Sequence, residues 1–443
     1  MIASRDICIT PDGIEATTRI QAAIDSATHQ KLRVVLAPGR HICGGLTLRS
    51  NVELHLDEGA ELVFIPDYAA YEKTRVGVIA EESDRAMITG KGAQHIAITG
   101  TGRISCDGSR AFSLGGDDAM GTLIPAEKRP RVLVLEDCQH VALTEITVLD
   151  SPMWTLHFVG CSDVSLRGIR VDNNRQMPNT DGIVVDGCQN LVVSDSEIRT
   201  ADDGIVLKTS ATAEGGTAGE CRDIRVTGCT IESRSCALKI GTESHDNFRD
   251  ISFEDCDIVQ SNRGLGIFSR DGGVVENVRF ARIKLDCHET PDGFWGSGEA
   301  LTINVIDRRP DSRPAGAVRG VEISEISGHM QGAINLFAER AGDISDVLVD
   351  GLSLKQRPGT LGTAQSYDLR PTAADLEADP NAEGRANAWR KGADGRVIGL
   401  VEYPGGMPAI FARNVAGLDL QNWQVSRPDP LPDGWNSEAL VTL

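Results

Sequence analysis

Two stretches of the chain place aspartates in nearly the same context. Asp181 and Asp203 each begin the pattern Asp-Gly-Ile-Val followed by an apolar residue, and they lie 22 residues apart. If each repeat is one turn of a β-solenoid, the two side chains stack at about the 4.8 Å spacing of neighbouring strands. Together with Asp202, they then crowd one spot. Crowded carboxyl groups raise one another's pKa, as a general acid near neutral pH requires.

Aspartates in a solenoid have structural and calcium-binding alternatives. Asp and Asn at strand ends bond the backbone of turns. The pairing of Asn179-Thr-Asp-Gly with Asp202-Asp203-Gly is more specific than a lone Asp-Asp, and no glycine-rich nonapeptide array of the calcium-binding type occurs. The nine histidines show no paired metal-ligand spacing. We therefore expect an active site that uses no metal and no other cofactor.

Similar apolar segments recur along the chain. The intervals between the last isoleucines of the first five are 23, 29, 33 and 27 residues, which is too irregular for the equal blades of a propeller. This pattern favours an all-β fold in which a single parallel β-helix spans residues 1–443. The segments are Val141 to Ile146, Val164 to Ile169, Leu191 to Ile198, Ile224 to Ile231, Ile251 to Ile258 and Val278 to Leu285.

Two segments depart from the repeat. Thr18 and Gln21 form a capping-box pattern, which predicts a short helix at about residues 18–28 that closes the N-terminal end of the solenoid. Residues 356–400 lack a strand pattern and are interpreted as an inserted loop or lid, with one short helix from Ala373.

The composition limits the partners. A formal net charge of −20 argues against nucleic acid and anionic membranes, and no apolar run reaches the length of a membrane span.

The eleven cysteines include no Cys-x-x-Cys pair and are interpreted as reduced thiols. With no signal peptide visible, a cytoplasmic location is expected, or secretion if a leader was trimmed. The oligomeric state is not predicted.

Aligned repeats indicate which residues share a column. Matching Cys161 with Cys188, and Asp203-Gly-Ile with Cys236-Ala-Leu, gives one column of Trp154, Asp181, Asp203, Cys236 and Arg263. An aromatic residue, carboxylates and a cation in succession would suit a sugar chain lying across the turns.

At these residues the chain resembles family 28 of the glycoside hydrolases, the polygalacturonase family. Its most specific motifs are Pro178-Asn-Thr-Asp-Gly182 and Asp202-Asp203-Gly, and further matches are Leu36-Ala-Pro-Gly39, Leu48-Arg-Ser-Asn-Val-Glu-Leu54 and Gly59-Ala60. The resemblance implies a right-handed parallel β-helix and an inverting hydrolysis. Asp202 would be the general acid, and Asp181 and Asp203 would hold and deprotonate the attacking water.

The chain departs from the family pattern at two places. Ser235-Cys236-Ala237 stands where the family has Gly-His-Gly, and Gly266-Ile267-Phe268 stands where it has Arg-Ile-Lys. The cations that receive a uronate carboxylate are thus missing, and Lys239, Arg263 and Arg270 are the candidates to replace them. Phe268 is expected to stack on a neutral or deoxy sugar instead.

The predicted site therefore contains three catalytic aspartates and a set of substrate-binding side chains. The binding candidates are Asn179, Trp154, His157, Lys239, His245, Arg263, Arg270, Trp295 and Glu299. The expected function is exo-acting, inverting hydrolysis of pectin-derived oligosaccharides with galacturonide or rhamnogalacturonan-type bonds. The alternatives are a polysaccharide lyase and a non-catalytic carbohydrate-binding β-helix.

Overall fold

The computed structural model of the protein describes residues 5–27, 30–117, 121–212, 215–291, 295–308, 313–372 and 392–443. The chain divides into two units, Met1–Ala201 with Thr212–Ala218, and Asp202–Ala211 with Gly219–Leu443. A single domain over residues 1–443 stays a prediction.

The first unit consists mainly of short strands in chain order. Its helical segments are α1 (Thr17–Asp25), a 3-10 turn (Tyr68–Tyr71) and α2 (Gly108–Ala111). Its strands are β1 (Arg5–Ile9), β2 (Leu32–Leu36), β3 (Gly39–Cys43), β4 (Leu46–Thr47), β5 (Val52–Leu56), β6 (Ala60–Phe64), β7 (Arg75–Ala80), β8 (Ser83–Lys91), β9 (Gln94–Thr99), β10 (Arg103–Ser105), β11 (Ser113–Asp117), β12 (Thr122–Pro125), β13 (Arg131–Glu136), β14 (Gln139–Thr144), β15 (Thr147–Leu149), β16 (Leu156–Val159), β17 (Ser162–Arg167), β18 (Arg170–Asp172), β19 (Ile183–Asp186), β20 (Gln189–Ser194) and β21 (Glu197–Thr200).

Successive turns of this unit each contribute one strand to three parallel ladders. Because parallel strands in register stack equivalent side chains, the apolar residues form buried columns. The columns are Ile88, Leu133, Leu156 and Ile183 in the first ladder, Ile96, Val141, Val164 and Leu191 in the second, and Ile104, Val148, Val171 and Ile198 in the third.

Helix α1 forms near its predicted place but without the predicted capping box. The helix starts one residue earlier, at Thr17, and its N-cap residue Ala16 has no side chain that caps it. Gln21 instead binds β4, because its Nε2 donates to the carbonyl oxygen of Thr47 at 3.0 Å and its Oε1 accepts from the Thr47 N–H at 2.8 Å. The buried face of the helix carries Ile20, Ala23 and Ile24.

The second unit repeats the same plan with longer strands. Its strands are β22 (Ile205–Thr209), β23 (Cys221–Thr227), β24 (Thr230–Ser233), β25 (Cys236–Ser244), β26 (Phe248–Glu254), β27 (Asp257–Ser261), β28 (Arg263–Ser269), β29 (Val275–Cys287), β30 (Leu301–Val305), β31 (Val318–Met330), β32 (Ile334–Ala338), β33 (Ile344–Gln356), β34 (Ser366–Asp368), β35 (Leu400–Glu402), β36 (Ile410–Arg413), β37 (Val415–Ser426) and β38 (Leu440–Thr442), with a 3-10 turn at Thr363–Gln365.

One ladder of this unit carries the residues that matter for chemistry. It runs β22, β25, β28, β30, β32, β36 and β38, with every pair parallel. Its buried column is Ile205, Leu238, Leu265, Leu301, Ile334 and Ile410. The prediction of a parallel β-helix is confirmed by these ladders.

The segment predicted as an inserted loop or lid, residues 356–400, contains β34 and the first residue of β35. β34 and β35 pair in an antiparallel sheet, which the sequence pattern did not indicate. The Tyr367 ring lies 5.0 Å from that of Phe411 and 5.8 Å from that of Phe337, so the segment adds to the core of its unit. The helix predicted from Ala373 lies outside the described residues.

All eleven cysteines are free thiols, and ten of them are buried, with Cys8 exposed. Within the described residues, no helix combines the length and the apolar character that crossing a membrane would need.

Candidate active site

Asp202 and Asp203 stand directly before β22 and differ in exposure. The Asp202 side chain is half-buried, whereas Asp203 is only 2% exposed. The backbone N–H of Asp203 donates to Oδ1 of Asp202 at 2.9 Å, and the Ser233 hydroxyl donates to the Asp202 carbonyl oxygen at 2.7 Å. The first carboxyl group therefore keeps some exposed surface, while the second is fixed inside the unit.

Asp203 is held by two side chains from the next turn. Ser235 donates its hydroxyl to Oδ1 at 2.9 Å, and the Lys239 ammonium donates to Oδ2 at 2.6 Å. Ser235 precedes β25 and Lys239 lies within it, so the register of β25 on β22 sets both contacts. Each carboxylate oxygen has two lone pairs, so Asp203 can still accept a hydrogen bond from water.

The environment raises the pKa of the Asp202 carboxyl group to about 6. Burial is the main cause, and the negative charge of Asp203 adds to it, while Lys239 and Lys208 act in the opposite direction. A carboxyl group with this pKa remains largely protonated in mildly acidic solution. It can therefore donate a proton as a general acid.

A metal ion at Asp203 would have to compete with the Lys239 ammonium, which already pairs with Oδ2. The expectation of a metal-free site is consistent with this contact and stays a prediction.

In the first unit, Asp181 stands two residues before β19 and is 3% exposed. Trp154 lies in the equivalent position one turn earlier, since Leu156 pairs with Ile183, and this part of the predicted column is confirmed. The backbone of Thr155 donates to the Asp181 carbonyl oxygen at 2.9 Å. The stacking of Asp181 on Asp203 stays a prediction.

Asn179 adopts a left-handed backbone conformation with φ of +57°, which asparagine tolerates better than most residues. Its Oδ1 accepts a hydrogen bond from Arg129 at 2.7 Å, and the residue is 7% exposed. Arg129 also donates to the carbonyl oxygens of Pro152 and Pro178. The side chain of Asn179 thus fixes the loop that leads to Asp181, a role that the sequence did not assign to it.

The prediction that His157 contacts sugar is corrected by its position. Its side chain is fully buried, with Nδ1 2.9 Å from Arg131 and Nε2 3.4 Å from Asp186. Its ring packs edge-on against Trp154 at 5.1 Å between centroids. Trp154 is 7% exposed, so this aromatic pair belongs largely to the core.

Cys236 pairs with Arg263 in the β25–β28 register, which confirms the upper part of the predicted column. Arg263, however, is 2% exposed, so it does not offer its guanidinium to a sugar. It donates to Asp368 at 2.6 Å and lies 3.6 Å from Glu299. Glu299 has no exposed surface, and the prediction of sugar contact is therefore corrected for both residues.

Arg270 is also an interior residue and not a sugar ligand. Its guanidinium donates to the carbonyl oxygens of Asn304, Leu369 and Pro371 at 3.1, 3.2 and 3.1 Å. Burial, with repulsion from Arg308, lowers the pKa of Arg270 to about 9. The contacts with Leu369 and Pro371 tie the inserted segment to the residue that follows β28.

Phe268 does not present a face to a sugar, because it is 1% exposed. Its ring is surrounded by Lys239, Arg263 and Arg270, whose cationic groups lie 5.4, 4.9 and 5.8 Å from the ring centroid. The expected stacking of Phe268 on substrate is therefore wrong.

Trp295 keeps partial exposure and remains a candidate for stacking on a sugar. The Arg370 guanidinium lies 5.5 Å from its ring centroid, and the N–H of the following residue, Gly296, donates to Asp368 at 2.6 Å. The loop residues before Trp295, from 292 to 294, lie outside the described residues.

The family model described as glycosyl hydrolases family 28 matches residues 68–291, just over half of the chain. The chain belongs to glycosyl hydrolase family 28. A probable polygalacturonase of Arabidopsis thaliana is 27% identical over 240 residues, which cover 52% of this chain and 46% of the relative. The chain thus spans about half the length of this curated relative.

Two solved structures share the fold. The hyperthermoactive exopolygalacturonase of Thermotoga maritima superposes with a TM-score of 0.66 at 19% identity, over 80% of this chain and 88% of its own. The polygalacturonase of Erwinia carotovora gives 0.60 at 19% identity, over 80% and 93%. The fold is therefore a right-handed parallel β-helix, as predicted.

The structure also shows a charged cluster that sequence reasoning did not find. Lys208 donates to Glu243 at 2.5 Å, and Arg308 bridges Glu243 at 3.2 Å and Asp271 at 3.3 Å. Burial alone would raise the pKa of Glu243, but Lys208 and Arg308 outweigh it and lower the pKa well below its ordinary value. The sequence feature that could have indicated this cluster is Lys208, a charged residue within the otherwise apolar strand β22.

His245 lies beside this cluster, with Nε2 3.6 Å from Asp271 and 31% of its side chain exposed. Among the predicted binding residues, His245 and Trp295 keep partly exposed side chains that a ligand could contact. Contact of His245 with a sugar stays a prediction.

The structure shows why the first cation of the Arg-Ile-Lys pattern has no room at position 266 of this chain. Gly266 lies under the Phe268 ring, because a Cβ atom at Gly266 would be 2.4 Å from Cε2 of Phe268. The ring therefore fills the space that a side chain at 266 would need. Of the three replacement candidates, Arg263 and Arg270 are engaged in the interior, and Lys239 pairs with Asp203.

Proposed function

We propose that this family 28 member hydrolyses glycosidic bonds of pectin-derived oligosaccharides with inversion at the anomeric carbon. The observation that carries the proposal is the pair of unlike carboxyl groups: Asp202 has its pKa raised to about 6, and Asp203 is ion-paired at 2.6 Å. Adjacent acids with opposed environments support a division into proton donor and proton acceptor.

In the proposed reaction, Asp202 gives its proton to the glycosidic oxygen as the bond from that oxygen to the anomeric carbon breaks. A water held by Asp203 and Asp181 attacks the anomeric carbon from the opposite face and passes one proton to a carboxylate. The products are an alcohol and a sugar of inverted configuration. The role of Asp181 rests on the spacing of its motif, one repeat before Asp203.

The reaction is tested by incubating the protein with defined oligosaccharides and following the anomers by NMR. Early appearance of the inverted anomer supports the proposal. Retention of configuration would contradict the assigned mechanism, and a product that absorbs through a new double bond would indicate a lyase instead.

We further propose exo-type action on short chains in a reducing compartment such as the cytoplasm. The inserted segment, tied to Arg270 directly after β28, supports a cleft with restricted length, and the Thermotoga maritima protein that shares the fold is an exopolygalacturonase. Ten buried free thiols support the compartment. Rapid viscosity loss of a polymer with little monosaccharide release would refute exo-action.

Unmodified galacturonate oligomers are expected to be poor substrates. Charge-assisted contacts to a carboxylate contribute about 1.5–3 kcal/mol each, and the two cations of the family pattern are replaced by Gly266 and Phe268. Arg263 and Arg270 are buried, and Glu243 adds a partly exposed negative charge. We therefore expect kcat/KM on tri-galacturonate to lie at least about tenfold below that on mixed rhamnose-galacturonate or neutral galactosides.

The comparison includes Arg263→Ala, with a fluorescence or circular dichroism check that the variant folds. If wild type cleaves tri-galacturonate as well as the mixed and neutral chains, the proposed loss of the uronate site is wrong. If wild type cleaves tri-galacturonate and Arg263→Ala does not, Arg263 must leave its interior position and bind the carboxylate.

A further inference from the structure

Lys239 occupies an unusual position for a lysine, because only 11% of its side chain is exposed. Its ammonium group is held between the Asp203 carboxylate at 2.6 Å and the Phe268 ring, whose centroid lies 5.4 Å away. A buried ammonium group requires such compensation, since desolvation of an unpaired charge is costly. Lys239 is thus fixed by contacts on two sides.

The position of the ring depends on the residue that pairs with Lys239 across the ladder. Gly266 is the β28 partner of Lys239 in the register. A Cβ atom there would lie 2.4 Å from Cε2 of Phe268 and 2.8 Å from Sγ of Cys236, so glycine leaves the space that the ring occupies.

The other cations beside this ring have different partners. Arg263 pairs with Asp368 at 2.6 Å, and Arg270 donates to carbonyl oxygens and to Asn304. Lys208, which also acts on Asp202, pairs with Glu243 at 2.5 Å. Lys239 is the cation that pairs directly with Asp203, at 2.6 Å.

Two adjacent carboxyl groups influence each other's protonation. Ionising both is unfavourable, so over a range of pH one proton is divided between them. An ammonium group in contact with one carboxylate stabilises the charge there and moves the proton to the other.

We propose that Lys239 is a positioning residue that places the proton of the Asp202–Asp203 pair on Asp202. This inference rests on the proposed function for its catalytic consequence. It makes Asp202 the acid and Asp203 the ionised partner, with Ser235 holding the second oxygen of Asp203 at 2.9 Å. Among the described residues, the other charged or titratable groups that act on the pair or on its neighbours include Lys208, Cys236, Glu243, Arg263, Glu299, Arg308 and Asp368.

The test replaces Lys239 by methionine, which keeps most of the chain length and removes the charge. Without the ammonium group, the proton shifts toward Asp203, so Asp202 loses its role as donor and Asp203 its role as acceptor. We expect kcat to fall about 10²-fold, within the range that general acid-base catalysis contributes, and the acid limb of the pH–rate profile to move to higher pH. Lys239→Arg should restore the wild-type limb and part of kcat.

Lys355→Met is the matched control, since it removes the same group from an exposed position of the same unit. It should leave both kcat and the pH profile unchanged. A purely structural role of Lys239 predicts lower activity with an unmoved acid limb and no rescue by arginine, and that result would overturn the proposal.

A measurement made without substrate tests this inference independently of the proposed function. The carboxyl ¹³C shifts of aspartate-labelled protein, assigned with Asp202→Asn and Asp203→Asn, report which group binds the proton. We expect the shared proton on Asp202 in wild type, and a shift of that proton toward Asp203 in Lys239→Met. An unchanged proton position would overturn the inference, whether or not any oligosaccharide is cleaved.

Discussion

Asp202→Asn is expected to lower kcat by about 10²–10⁴-fold on any oligosaccharide that the wild-type protein cleaves, because an amide cannot donate the proton that the leaving oxygen needs. The fold should remain intact. The backbone N–H of Asp203 can still donate to the side-chain oxygen at position 202, as it does at 2.9 Å in wild type.

The same substitution should stabilise the protein. The pKa of Asp202 is raised from its ordinary 3.8 to about 6, so the folded state disfavours the ionised form. The cost is absent below the ordinary pKa, grows as the pH rises from about 4 to 6, and is complete at pH 7. About two pKa units correspond to at most about 3 kcal/mol, and partial exposure reduces this to about 1–2 kcal/mol.

The measurement is kcat with unfolding curves at pH 3.5 and pH 7. The stability gain of Asp202→Asn over wild type should appear at pH 7 and vanish at pH 3.5. Asp223→Asn, the same chemical change at an exposed position of strand β23 in the same unit, should alter neither quantity. Wild-type turnover in Asp202→Asn would show that Asp202 is not the general acid. A loss of stability at pH 7 would contradict the unfavourable ionisation of Asp202 in the folded state.

The parts of this site that the sequence predicted are those set by local repetition. Each turn of the solenoid restarts its strands at equivalent positions, so aligned repeats placed the Trp154–Asp181 and Cys236–Arg263 neighbours correctly. The adjacent Asp202 and Asp203 needed no long-range information. An in-register parallel ladder converts sequence spacing directly into spatial stacking.

The errors at Arg263 and Arg270 concern side chains whose partners lie far away along the chain. Arg263 was expected to face a sugar, but its partner Asp368 is 105 residues later, in the inserted segment. Arg270 donates to a carbonyl oxygen 101 residues away. No repeat pattern encodes such pairs, and burial of Phe268 follows from the same packing. The predicted capping box is absent because of a nearer contact, since Gln21 binds Thr47 of β4, 26 residues away.

Asp368→Ala is expected to cause the largest loss of stability. The Asp368 carboxylate has no exposed side-chain surface and pairs with Arg263 at 2.6 Å and with Arg370 at 2.8 Å. It also accepts from the Gly296 N–H at 2.6 Å. Its removal leaves two buried guanidinium groups with fewer partners, and breaking a buried pair in this way costs about 3–5 kcal/mol.

The loss should depend on pH in a defined direction. Burial would raise the pKa of Asp368, but Arg370 and Arg263 outweigh it and lower the pKa from 3.8 to about 2. A depressed pKa stabilises the folded state above the ordinary value, and this contribution disappears as the pH falls from about 4 to 2. The difference between wild type and Asp368→Ala should therefore be greatest near neutral pH and shrink below pH 4.

Denaturant unfolding at pH 7 and pH 3 measures this difference, and Asp255→Ala is the control. Asp255 pairs with Arg282 at 2.6 Å, but both side chains are more than a third exposed, so its loss should cost only about 0–1 kcal/mol. Because Asp368 also holds Gly296 next to Trp295, the variant should raise KM if Trp295 stacks on sugar. Equal stability losses for the buried and the exposed pair would show that Asp368 does not hold the inserted segment to the rest of its unit.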